Sequence, residues 1–138
     1  MSGLPILAAL GALMVALPAA AQPSERSFTS PVPAGLAKGA VRAGMDYAAF
    51  RRTLLAAGWQ AKADPDCVQN VYGGDGTRKP GQSNICRELP EIEACSGDGY
   101  CVANFTYAAT RRLIRVTSYG DYGLWQRKGL SVLGWEQK

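Results

Sequence analysis

The chain has 138 residues, too few for two ordinary globular domains. Lys and Arg outnumber Asp and Glu 15 to 11, a mild excess that falls short of the dense basic face nucleic-acid binding requires. Histidine is absent altogether, which removes the usual general base, the Ser–His and Cys–His nucleophile systems and most catalytic zinc sites.

The chain opens on an export pattern. Leu4 to Leu17 is an apolar run interrupted only by Gly and Pro; Pro18 ends it, and Ala19-Ala20-Ala21 supplies the small residues a signal peptidase needs. The run is shorter than the roughly 20 residues that span a bilayer, and no Lys/Arg cluster follows it closely. A signal peptide over residues 1–21, cut before Gln22, is therefore expected rather than an anchor, with no membrane span left after cleavage. The cut carries no cysteine, so a lipid-anchored form of the usual bacterial kind is excluded. A periplasmic or secreted address follows, where the partners at hand are envelope or secreted proteins and not nucleic acid.

Residues 22–41, rich in Ser, Pro, Gly and Ala and without periodicity, read as a flexible or extended leader. One domain is expected from residue 42 to residue 138. Its clearest helix lies within Arg42–Trp59. Asp46 suits the N-cap, and Tyr47, Phe50, Leu54 and Ala57 form one apolar stripe that Leu55 widens, with Arg51 and Arg52 off it. Gly58 suits the left-handed position past the end, with Trp59 folding back on Leu54. Trp59 to Ala63 alternates as a first strand, and Asp64-Pro65-Asp66 turns the chain.

Four cysteines, Cys67, Cys86, Cys95 and Cys101, all follow the signal. An even number in an exported chain implies disulfides. Four cysteines allow three pairings and sequence alone does not choose, although Cys67–Cys86 with Cys95–Cys101 is the favoured expectation. Each bridge would stabilise the fold by roughly 2–3 kcal/mol. A zinc site is disfavoured because no C-x-x-C pair occurs.

Cys67 to Tyr72 is short and reads as a possible strand. Gly73 to Asn84 is a polar, glycine-rich loop whose centre is basic at Arg78 and Lys79. It lacks the frame of a phosphate-binding loop and is expected instead to contact a partner. Glu91 and Glu93 share a side if their segment is extended, and such neighbours usually face water rather than form a catalytic acid pair.

From Glu91 to Tyr119 the pattern is that of a covalently stapled hairpin. Ser96-Gly97-Asp98-Gly99 makes a tight turn. Cys101, Ala103, Phe105 and Tyr107 point one way, Val102, Asn104 and Thr106 the other. After a turn at Ala108–Arg111, Ile114, Val116 and Ser118 oppose Leu113, Arg115, Thr117 and Tyr119. One face is apolar and one mixed, as in an antiparallel sheet covered on one side. Asn104-Phe105-Thr106 matches a glycosylation sequon, which means little inside a strand. Leu124–Arg127 reads as one helical turn and Leu130–Trp135 as a last strand with Trp135 in the core.

Two pieces of the chain carry a resemblance. Gly44-Met45-Asp46-Tyr47 with Arg51, Leu54, Leu55, Gly58 and Trp59 forms the first, and Pro90-Glu91 with Cys95-Ser96-Gly97, Gly99 and Cys101 the second. Together they resemble a group of small exported bacterial proteins of unknown function, over about two-thirds of the chain. The helix-then-strand opening is similar, more loosely, to the helix-plus-sheet modules of β-lactamase-inhibitor-like proteins and of small outer-membrane-assembly lipoproteins. That second resemblance implies a sheet face presented to a protein.

The expected fold is α+β: one helix on an antiparallel sheet of about four strands, with two disulfides. The expected function is that of a non-enzymatic binding or inhibitory module, needing no cofactor or metal. Its contact surface would combine Arg115, Thr117 and Tyr119 with the Arg78–Lys79 loop. A structural or polyanion-binding envelope protein is the alternative, followed by a carboxylate-dependent envelope enzyme.

Overall fold

The computed structural model describes residues 30–74 and 84–138. The signal segment, Arg78 and Lys79 lie outside the described residues.

Helix α1, Tyr47–Ala56, starts where its cap predicts, with the Ala49 N–H donating to Asp46 Oδ2 at 3.1 Å. Tyr47, Phe50 and Leu54 are fully buried one turn apart. Leu55 does not widen this stripe: it is 38 % exposed, because one residue past Leu54 turns it about 100° away from the sheet. Gly58 takes φ +94° and donates to the Leu55 carbonyl, so the chain leaves the helix through the backbone conformation glycine adopts most readily.

Strand β1 is Trp59–Ala61. Past the turn, where the Asp66 N–H donates to Asp64 Oδ1, Cys67–Tyr72 forms helix α2 and not the strand its apolar residues suggested. Six residues are too few for a period of two to be told from 3.6. The turn delivers the chain already coiled, with Asn70 N–H donating to the Asp66 carbonyl at 2.9 Å. A one-turn helix α3, Ile85–Glu88, had no counterpart in the sequence pattern. The Cys67–Cys86 disulfide joins α2 to α3.

The sheet comprises β1, β2 (Ile92–Cys95), β3 (Tyr100–Tyr107), β4 (Leu113–Gly120) and β5 (Leu130–Gln137), all antiparallel. It is an α+β arrangement with five strands but only four strand positions wide, because β1 and β2 share one edge of β3 end to end. β1 pairs with Phe105–Tyr107 and β2 with Cys101–Ala103. The handover falls at Asn104, whose carbonyl accepts from Lys62 N–H and whose amide donates to the Glu91 carbonyl. The predicted hairpin is β2–β3. Cys95 and Cys101 stand directly opposite in it and are joined, with Cα atoms 4.1 Å apart. That spacing belongs to a non-hydrogen-bonded cross-strand pair. Both favoured disulfides therefore form, no thiol remains free, and two such bridges fit an oxidising extracytoplasmic compartment.

Helix α1 covers one face. Phe105, Ile114, Val116, Val132 and Trp135 meet Phe50, Leu54 and Trp59 there, each large side chain contributing roughly 1.5–3 kcal/mol by burial. Residues 30–41, read from composition as a leader, lie along this core from Ser30 onward. Val41 is buried, Ala34 O accepts from Trp59 Nε1 at 2.8 Å, and Pro31 O accepts from Trp135 Nε1 at 2.6 Å. Ser30 and the residues just before α1 occupy the outer edge of β5, where Val132 N–H donates to the Met45 carbonyl and Trp135 N–H to Ser30 Oγ. The C-terminal turn is a 3₁₀ helix, Tyr122–Arg127. Among the described residues no helix is long and apolar enough to cross a membrane.

Candidate interaction face

Alternation along β3 and β4 sorts two clusters onto opposite faces of the sheet. On the covered face, Tyr47 and Arg51 sit at i and i+4 on α1, so both side chains reach the same point. That point is Glu91, fully buried. Tyr47 Oη donates to Glu91 Oε1 at 3.0 Å, Arg51 Nε to Oε1 at 2.6 Å and Arg51 Nη2 to Oε2 at 3.3 Å. Trp125 lies beside Arg51, its ring centroid 6.0 Å from Cζ, and Trp125 Nε1 donates to Glu88 Oε2. Burial, and then the neighbouring Glu91 carboxylate, hold the Tyr47 hydroxyl well above the ordinary tyrosine range.

The expectation that Glu91 and Glu93 sit together facing water is overturned. Glu91 belongs to the Leu89–Ile92 turn and not to a strand, so a period of two does not reach it. Glu93 is the extra residue of a bulge between Ile92 and Ala94, which leaves its side chain on the uncovered face. There it accepts from Asn104 Nδ2 at 2.8 Å and Arg115 Nη2 at 3.1 Å. Asn104 is only 7 % exposed and its amide is committed, so the sequon is no glycosylation acceptor in the folded chain. Arg51, expected off the helix stripe, is likewise drawn inward by Glu91.

On the uncovered face Arg115, Thr117 and Tyr119 do come together, every second residue of β4. The principal packing partners of β4 are its sheet neighbours. Opposite them across the hairpin stand Asn104, Val102 and Tyr100. Tyr100 and Tyr119 are 45 % and 48 % exposed, with ring centroids 5.0 Å apart. Tyr100 was missed as a face residue, although the register set by the Ala108–Arg111 turn puts it against Tyr119. Asn104 and Glu93 were missed as partners of Arg115, because the bulge that joins them has no sequence signature here. Among the described residues no group of three metal-ligating side chains lies together, and the four cysteine sulfurs are consumed by the bridges.

Compared with family models, characterised proteins and solved structures, the chain matches none. The functional reading therefore rests on the geometry of these two faces.

Proposed function

We propose that this chain is an exported, non-enzymatic binding or inhibitory module of the periplasm or cell exterior that recognises a protein through its uncovered sheet face. The observation that carries the reading is the exposed Tyr100–Tyr119 pair on the same face as Arg115, opposite the face that α1 buries. Tyrosine brings large contact area at low entropic cost, and arginine brings directional hydrogen bonds; both are enriched where proteins meet. The acids that could have served catalysis have other work. Glu91 accepts from three donor atoms beneath α1 and Glu93 from two, so both carboxylates are engaged within the chain.

Site-specific photocrosslinking in cells tests the reading. A photoreactive residue replacing Tyr119 should yield one discrete protein adduct, and the same residue replacing Arg52 on the outer side of α1 should yield none. Equal labelling from both positions, or none from either, removes the proposal.

A further inference from the structure

The uncovered face is electrically lopsided, and the strand register shows how. Near the β3–β4 turn it carries Lys62, joined to Asn104 through its amide, and Arg115, directly opposite Asn104. Lys138 lies beside them, its amide donating to the Leu113 carbonyl. The turn itself adds Arg111 and Arg112, both exposed. Carboxylates stand there too: Glu93, already held by Arg115 and Asn104, Glu136, opposite Arg115 on β5, and Asp64, two residues past Lys62. At the other end of the face the tyrosine pair takes over. Arg115 and Tyr119 are four residues apart on one strand, about 13 Å at strand rise.

We infer that the partner segment is an acidic polypeptide that lies along the strands of this face, with carboxylates over the Lys62–Arg115–Lys138 end and an apolar or aromatic side chain against Tyr100 and Tyr119. The inference rests on the proposed protein-binding role and adds the chemistry and spacing of the bound segment. Charge complementarity selects the acidic end, because cations outnumber carboxylates there and steer an anionic segment in. The aromatic pair selects a polypeptide over a simple polyanion, since stacking area is gained only from a partner carrying apolar side chains. Together they fix spacing: an extended segment needs its acids roughly four residues from its apolar anchor to satisfy both ends.

The test is selection from a displayed library of random 12-residue peptides on the immobilised, oxidised mature chain. It is repeated on the double variant Lys62→Glu/Lys138→Glu and on Tyr119→Ser. All three positions are exposed or at the sheet end, and thermal melting confirms that the variants fold. Enriched peptides should carry Asp or Glu about four residues from an aromatic or large aliphatic residue. Each variant should weaken a synthesised winner at least tenfold, and the charge reversal should flatten its salt dependence. Peptides without acids that still lose binding in Tyr119→Ser overturn the acidic segment and leave the protein-binding role standing. Peptides indifferent to both variants, or no enrichment at all, overturn both. Polyphosphate or phosphatidylglycerol vesicles bound through the lysines but indifferent to Tyr119→Ser overturn the inference in favour of a polyanion ligand.

Discussion

Among the described residues, the two glutamates that pair with arginine stand two residues apart and in opposite surroundings. Glu91 faces α1, fully buried, with Tyr47 and Arg51 closing over it. Glu93 faces the other way, 28 % exposed, with Asn104 and Arg115 for partners. The donor chemistry is nearly the same in both: one arginine and one neutral polar side chain. What differs is the solvent. In the buried cluster, loss of one partner strands a charge without water. In the exposed cluster water takes over the lost bond, so those side chains remain free to serve recognition.

That contrast is most sharply broken at Glu91. Glu91→Ala should destabilise the fold by about 3 kcal/mol, since Arg51 and the Tyr47 hydroxyl lose their acceptor under α1. Urea unfolding of the oxidised chain measures it, and a cost below about 1 kcal/mol would put the two clusters on a par. Nearly as large, replacing Cys67 and Cys86 together by serine should cost about 3 kcal/mol by loop-closure entropy, read as a lower melting temperature. The hairpin bridge Cys95–Cys101, which spans only 6 residues, should cost less.

A third effect separates the clusters by pH. Tyr47 keeps its proton in the fold at a pH where the unfolded chain has lost it, because its folded pKa is raised by burial and by Glu91. Its contribution is complete below about pH 10 and is lost as pH rises above that value, by up to about 1.4 kcal/mol per pH unit. The stability difference between the wild type and Tyr47→Phe should therefore shrink or reverse above pH 10 and stay flat below it. The smallest effect is expected on the uncovered face. Arg115→Ala should change stability by no more than about 1 kcal/mol, and high salt should erase most of that. If Arg115→Ala costs as much as Glu91→Ala, its cluster is structural and the face is not free for a partner.

The buried cluster joins two separate stretches of the chain: Tyr47 and Arg51 come from α1 and Glu91 from the turn before β2, and the three meet in the fold. Arg51 was expected off the stripe that carries Tyr47, although the two stand at i and i+4. Nothing local could show that Glu91, some 40 residues on, is their acceptor. The candidate face was partly legible for the opposite reason: Arg115, Thr117 and Tyr119 share a side by the pleat of one strand, whatever the sheet does elsewhere.

Local chemistry by itself determined α1 with its Asp46 cap and Gly58 exit, the alternating faces of β3 and β4, and an even set of cysteines, whose pairing the structure then supplied. These follow from backbone period and chain proximity, which act within a few residues. Only the tertiary structure decided that Cys67–Tyr72 coils, that β1 and β2 share an edge at Asn104, and that Glu91 turns inward while Glu93 turns out. The last two depend on neighbours far along the chain, because the free energy of a charge or a strand edge is set by what folds over it.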